Sequence, residues 1–407
     1  MKVLMLCNKS PWPTKEGGPI AMNAMIRGLL QAGYTLKILA LNTNKYNVLP
    51  ASVPLEFSEK THLSLVYTDL SFQPFTAIKS VLTGQSYHIQ RFITPQIEAA
   101  LIEILSNETF DIIQFESIFL TPYISLIQKH SKAKLVLRSH NIEHHIWHKL
   151  ANYTTNPFRK IMLRHLATTL EKYERSILDQ LDGIMTITTK DENRFKILGF
   201  KSILSTIPLS IEVRVDNTSS PAVVSVPKQT SLFHIGSMNW IPNQDGIRWF
   251  LHECWPLIHN SFPSLKLVLA GREMPMWLKR TIMTGVDIQA EVENSTDFIL
   301  ENGIMVVPLF AGSGVRVKIL EAMSLRRPVI STTQGAEGIE YTDGSSILIA
   351  NTPEEFLIAI TKCLTDSKLV DTLTENALKI VQTIHQPDQI SKLTDDFYKQ
   401  LIQTSKG

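Results

Sequence analysis

Short apolar runs alternating with longer segments of helical period constrain this chain more than any other feature. Residues 3–7 (Val-Leu-Met-Leu-Cys) form a run too short for a helix. A glycine-containing stretch over 11–19 follows, then a helical segment over 20–31 closed by Gly33, then a second apolar run over 35–41. This is the rhythm of a strand–helix–strand unit. Runs over 111–114, 134–138 and 183–188 predict further strands, with helices over 95–105 and 159–181 between them. Such alternation implies α/β architecture, a parallel sheet covered by helices on both faces.

The pattern breaks after residue 203. Pro208, the run Asn217-Thr218-Ser219-Ser220-Pro221 and Pro227 read as a linker, set at 208–229. The rhythm then restarts, with strands over 232–235, 265–270, 304–307 and 328–331 and helices over 246–258 and 317–324. The expected organisation is therefore two doubly wound domains, over 1–207 and 230–385, facing across a cleft. Such folds bind ligands outside the carboxyl ends of their strands.

Composition narrows the function. The 407 residues suit two domains, and 44% hydrophobic content with 19% charged argues against disorder. Forty Lys+Arg against 38 Asp+Glu leave a net charge of +2, which excludes a dedicated nucleic-acid binder. The balance is uneven: residues 1–207 hold 23 basic and 16 acidic side chains, the remainder 17 and 22. Cys7, Cys254 and Cys363 are too few and too scattered for a disulfide framework and read as buried apolar groups in a reducing compartment. The first apolar run is short and followed by Asn8 and Lys9, and no run is long enough to span a bilayer. The expected location is cytoplasmic.

Residues 308–323, Pro-Leu-Phe-Ala-Gly-Ser-Gly-Val-Arg-Val-Lys-Ile-Leu-Glu-Ala-Met, carry the most chemistry. A strand leads into a small-residue turn where Gly312 and Gly314 admit a close ligand, and a helix then opens with unpaired N–H groups that attract anions. Gly314, Lys318 and Glu321 fall at i, i+4 and i+7, on one helix face. An ammonium and a carboxylate so placed suit the phosphates and ribose hydroxyls of a nucleotide diphosphate. A solvated Lys–Glu pair after a glycine-rich start is the simpler alternative.

That segment, followed by Arg327-Pro328-Val329-Ile330-Ser331-Thr332 and Gly335-Ala336-Glu337-Gly338-Ile339, resembles the signature of family 4 retaining glycosyltransferases (glycosyl transferases group 1). The resemblance implies the GT-B fold of two Rossmann-like domains, with a C-terminal helix over 386–407 returning to the N-terminal domain. It implies a nucleotide-sugar co-substrate and no resident cofactor, and no Asp-x-Asp motif is present to hold a metal. Of the two glutamates spaced eight apart in the family, Glu321 matches the one that holds the ribose, whereas the other position is Ser313. The backbone N–H groups of Gly314 and Val315 are candidates to replace it. Gly236 and Ser237 match the family's diphosphate turn. The cations to meet that charge are Lys318 first, then Arg316 and Arg272.

In the N-terminal half, Gly17 and Gly18 match a flexible glycine loop under the donor; without the resemblance they are an ordinary turn. The pair does not form Gly-x-Gly-x-x-Gly, which removes support for a nicotinamide cofactor. His140, after the strand over 134–138, matches a histidine that contacts the donor sugar, and its imidazole can donate to a hydroxyl or hold the acceptor. Glu116, after the strand over 111–114, is a further cleft candidate, with a cap or a surface salt bridge as the simpler reading. His144, His145 and His148 lack the partners of a zinc site. The basic, apolar segment over 158–166 suits anionic lipid headgroups if it is not simply a solvated helix. The resulting expectation is a retaining hexosyltransferase that acts on a polysaccharide or lipid-linked acceptor in cell-surface glycan synthesis through His140, Lys318 and Glu321, in the cytoplasm or peripherally at the inner membrane face. A sugar-nucleotide epimerase and a two-lobed binding protein are the rival readings.

Overall fold

The computed structural model describes residues 1–14, 16–154, 156–211, 231–312 and 314–403. The chain divides into two units, Met1–Ser210 with Pro387–Gly407, and Ile211–Gln386. Most of the expected linker, residues 212–229, lies outside the described residues, as does Ser313.

The first unit is built on seven strands: β1 (Lys2–Cys7), β2 (Thr35–Thr43), β3 (Ser64–Thr68), β4 (Ile112–Phe115), β5 (Lys134–Ser139), β6 (Gly183–Thr186) and β7 (Ile203–Thr206). They form one sheet in the order β3-β2-β1-β4-β5-β6-β7, with every pairing parallel. Val3 to Cys7 are all buried, as a run without alternation requires when helices cover both faces. Separate cores fill the two faces, one around Leu4, Ile113 and Leu137 and the other around Val3, Met5 and Val136.

The second unit repeats the plan with six strands, β8 (Ser231–Ile235), β9 (Lys266–Ala270), β10 (Val286–Ala290), β11 (Ile304–Val307), β12 (Val329–Ser331) and β13 (Leu348–Ile349), in the order β10-β9-β8-β11-β12-β13. These are two Rossmann-like units. In each, strand order reverses at one point, between β1 and β4 and between β8 and β11. Folds of this kind bind ligands at such points, at the carboxyl ends of the strands.

Four local readings change. The first helix starts at Gly17 rather than residue 20, so the glycine pair is its first turn; Pro19 costs no hydrogen bond there because the first N–H groups of a helix have no intrahelical partner. The strand expected over 183–188 stops at Thr186, since Thr188 Oγ1 accepts from Asp191 N at 3.1 Å and starts the helix Thr189–Leu198. The helix expected over 159–181 runs Pro157–Ser176, with a separate tight turn at Leu178–Gln180. The helix expected over 246–258 starts at Ile241 and widens into a π turn at Phe250–Cys254 before continuing to Ser261. Pro256, which has no N–H to donate, accounts for the widening.

The last helix, Pro387–Gln403, belongs to the first unit. Ile390, Phe397, Tyr398 and Leu401 enter the core with Val3, Met5, Met22 and Met25. Tyr34 Oη donates to Asp395 Oδ1 at 2.7 Å, and a Cβ on Gly28 would stand 2.5 Å from Ser391 Oγ.

Candidate functional site

In the second unit the glycines set the shape. A Cβ on Gly271 would lie 1.9 Å from the Gly236 carbonyl oxygen, and one on Gly246 2.2 Å from that of Pro308. The end of β9 therefore approaches that of β8, and the helix Ile241–Trp249 the end of β11, more closely than any other residue permits. Gly236 and Ser237 leave β8 in a turn pinned by Asn243, whose Nδ2 donates to the Ser237 carbonyl at 2.8 Å, and Ser237 Oγ donates to Asn239 Oδ1 at 3.0 Å.

The turn after β11 is left-handed at Gly312 (φ 104°) and Gly314 (φ 83°). A Cβ on Gly312 would come 2.4 Å from the Trp240 ring, so the glycine is required by shape and by conformation. Arg316 folds back over this turn: Nη1 donates to the Gly314 carbonyl at 2.7 Å, and its guanidinium lies 4.9 Å from the centre of the Trp240 ring. Burial lowers the Arg316 pKa to about 10, which leaves it charged at neutral pH. Gln334 braces the same loop, donating to the Gly312 carbonyl at 3.0 Å.

The helix Val317–Ser324 begins there without a side-chain cap, its first N–H groups directed toward the turn. Lys318 Nζ donates to Glu321 Oε2 at 2.8 Å, with the two side chains 27% and 21% exposed. A partly exposed pair of this kind contributes about 0–1 kcal/mol, so incoming phosphate and hydroxyl groups can replace it at small cost. Arg272, after β9, bonds Glu291 through Nε at 3.2 Å and stands at the same sheet end as Gly236.

The first unit assembles a second constellation. Glu116, immediately after β4, is fully buried and its carboxylate accepts from three side chains. Oε2 takes Arg138 Nη1 at 3.0 Å and His140 Nε2 at 2.9 Å, and Oε1 takes the Gln114 amide. Burial raises the Glu116 pKa, but the Arg138 charge and the bonds from His140 and Gln114 outweigh it and hold the carboxyl down at about 2. The His140 pKa is lowered, first by burial and then by the Arg138 charge, against the opposing bond to Glu116. Glu116 is therefore the carboxylate and His140 the neutral imidazole at pH 7. Arg138 Nη1 also donates to the Ala21 carbonyl at 3.2 Å, joining this cluster to the first helix.

Gly17 and Gly18 lie in that helix's first turn, where a Cβ on Gly18 would meet the Lys9 side chain at 2.9 Å. Lys9 pairs with Glu16 at 3.1 Å, stands over the Tyr46 ring and helps lower the His140 pKa. Sequence reading did not single out Lys9 or Trp240. Their only signal was position in the loops that leave β1 and β8. The histidines after His140 have structural neighbours: Glu174 accepts from the backbone N–H of Glu143 and His144 at 3.0 and 3.1 Å and also bonds His144 Nδ1, capping the helix Glu143–Tyr153, His148 Nε2 lies 3.4 Å from Glu171 Oε2, and the His145 ring stacks on that of His144. No metal-binding group of His, Cys, Asp and Glu occurs among the described residues.

Residues 229–366 match the family described as glycosyl transferases group 1. A 44.6 kDa protein from the cps region of Klebsiella pneumoniae is 23% identical over 98% of this chain and 99% of its own length. Among solved structures, sucrose-phosphate synthase from Thermosynechococcus elongatus superposes with a TM-score of 0.72 at 15% identity, covering 99% of this chain and 100% of that one. Anabaena HepE in complex with UDP and glucose gives 0.67 at 13%, over 98% and 100%. The fold is thus that of the GT-B glycosyltransferases, and the second unit matches their family.

Proposed function

From a second unit of the glycosyl transferases group 1 type, we propose that the chain is a retaining glycosyltransferase that moves a hexose from a nucleotide-diphosphate sugar to a polysaccharide or lipid-linked acceptor in cell-surface glycan synthesis. The observation that carries this reading is the turn and helix after β11: two left-handed glycines, an uncapped helix start, and Lys318 beside Glu321 on one face. Lys318 would turn from Glu321 to the diphosphate, and Glu321 would accept from the ribose hydroxyls. The anomeric bond breaks with oxocarbenium-like character. The charge that develops on the leaving diphosphate is met by the N–H groups at 314–317, by Lys318 and by an arginine. The acceptor hydroxyl attacks from the face the diphosphate leaves and passes its proton to the departing phosphate oxygen, so no separate protein base is required. Arg316 braces the turn that aims these donors, and His140 belongs to the sugar's surroundings.

The capsule-region relative supports a glycan acceptor, and the HepE complex puts a uridine donor first among those to try. The acceptor side is proposed to rest on anionic membrane at the cytoplasmic face. In the helix Pro157–Ser176, Phe158, Ile161 and Met162 are 82%, 67% and 54% exposed, next to Arg159, Lys160 and Arg164, a composition suited to lipid headgroups. No helix of the described residues is long and apolar enough to cross a bilayer.

Three experiments test the reading. Thermal-shift measurements with UDP, GDP, ADP, CMP and their sugars should give a rise in Tm for one nucleotide series, because a ligand bound to the folded state stabilises it by mass action. Glu321→Ala should abolish transfer with an unchanged circular dichroism spectrum; near-normal turnover in that variant would overturn the site. An isomerised sugar formed from donor alone would show an epimerase instead.

A further inference from the structure

We infer that Glu116 is a positioning residue that fixes His140 as its Nε2–H tautomer, so that Nδ1 offers a permanent lone pair to a sugar hydroxyl. The inference rests on the placement of His140 in the donor site proposed above and goes beyond it by assigning the direction of the bond.

The direction follows from what a carboxylate can do. An ionised carboxyl has lone pairs and no proton, so every group bonded to it must donate. Three side chains bond Glu116: the Gln114 amide, Arg138 through Nη1, and His140 through Nε2. Arg138 and Gln114 Nε2 are donors by composition. His140 is the one member with a choice, and at 2.9 Å from Oε2 it must carry its proton on Nε2. A neutral imidazole then has a bare lone pair on Nδ1, and no group among the described residues bonds that atom.

The cluster is held from behind. Tyr398, on the last helix, donates through Oη to Gln114 Oε1, which orients the amide so that its nitrogen faces Glu116. Glu116 and Arg138 are 0% and 2% exposed in their side chains, whereas His140 is 19% exposed. The polarity set in the core thus emerges at one atom on the surface. A hydroxyl that donates is accepted there, and a group that only accepts, such as a methyl ether or a phosphate oxygen, is disfavoured. His140 accordingly acts as an acceptor for the ligand rather than as a donor to it.

The test is long-range proton–nitrogen NMR on protein labelled with 15N-histidine, with His140 assigned from its absence in His140→Gln. Ligand-free wild-type protein at pH 7 should show the Nε2–H tautomer; an Nδ1–H tautomer or a rapid mixture overturns the inference without any variant. Glu116→Gln, whose amide can donate as well as accept, should release the tautomer preference and lower kcat/KM for the donor roughly tenfold, the worth of one hydrogen bond. Tyr398→Phe, which leaves the Glu116–His140 bond in place, should keep the Nε2–H signal, and its loss there with Glu116→Gln unchanged would overturn the assignment to Glu116. Saturation with UDP-glucose, or the panel member giving the largest Tm rise, should shift the Nδ1 resonance. An unmoved resonance removes the sugar hydroxyl, and with it His140 from the donor site, while the tautomer assignment stands. If no nucleotide sugar raises Tm, the functional reading falls and the tautomer result is unaffected.

Discussion

At the scale of single residues, what could be read from the sequence depended on how far apart the partners lie. Lys318 and Glu321 are neighbours on one helix, so spacing alone put them on one face, and the structure places them 2.8 Å apart. Glu116 was visible only as a polar residue at a strand end. Its partners Arg138 and His140 lie 22 and 24 positions further on, and Tyr398 reaches its third partner, Gln114, from the last helix, contacts that no local pattern encodes. Glycines divide in the same way. Gly312 and Gly314 read as a turn and adopt positive φ, but Gly246, inside a helix, is required by close packing on the Pro308 carbonyl and Gly271 by close packing on that of Gly236, which sequence does not display. Gly271→Ala would press a methyl group to 1.9 Å from the Gly236 carbonyl oxygen. Forced overpacking of this kind costs roughly 1–3 kcal/mol. Gly344→Ala meets nothing within 4 Å and pays only for its φ of 74°. Denaturant midpoints should therefore fall further for Gly271→Ala than for Gly344→Ala, and Gly271→Ala should also weaken donor binding because the Gly236 turn must shift.

At the scale of elements, the strands that the sequence showed and those it hid differ in one physical respect. The interior strands were legible because both faces are buried and the apolar run is continuous. The strands it hid, β3, β7, β10 and β13, are the four edges of the two sheets. Their burial is partial or alternating, as in Val286–Ala290, so hydrophobicity signals them weakly. β7 shows the consequence: Ile203–Thr206 lies where the sequence changes character, yet it pairs in register with Gly183–Thr186. The last helix joins the first unit's core from the far end of the chain. Ile390, Phe397, Tyr398 and Leu401 are each at most 3% exposed. At about 1.5–3 kcal/mol for each buried side chain, their loss approaches the whole net stability of a typical domain, about 5–15 kcal/mol. A chain ending at residue 386 should therefore lose the cooperative unfolding transition of the first unit while retaining that of residues 211–386. Scanning calorimetry would decide it, and two intact transitions would show that the helix is dispensable.

At the scale of the whole molecule, the rhythm of alternating runs was enough to predict two Rossmann-like units, because that rhythm follows from chain-wide packing rather than from any one residue. The response to pH was not readable, because it depends on burial. His234 is 2% exposed, and its Nδ1 donates to the Val306 carbonyl at 2.8 Å. Burial lowers its pKa from 6.5 to about 4, and burial does the same to His88 and His145 in the other unit. Between pH 4 and 6.5 each binds a proton in the unfolded chain that it does not bind in the folded one, so stability falls as pH falls through this range. For His234 the slope approaches about 1.4 kcal/mol per pH unit. Glu143 acts in the opposite sense: burial, reinforced by the Glu174 charge, raises its pKa from 4.5 to about 8, so its contribution is complete below 4.5 and is lost as pH rises to 8. Three histidines outweigh one carboxyl below pH 6.5, and above it the carboxyl acts alone among these four, which places their combined maximum near pH 6.5. Tm measured at constant ionic strength should drop on both sides of that value, more steeply toward acid. His234→Asn, whose amide can keep the bond to Val306, should flatten the acid limb by one proton's worth, and an acid limb parallel to that of the unaltered protein would show that His234 is not one of its sources.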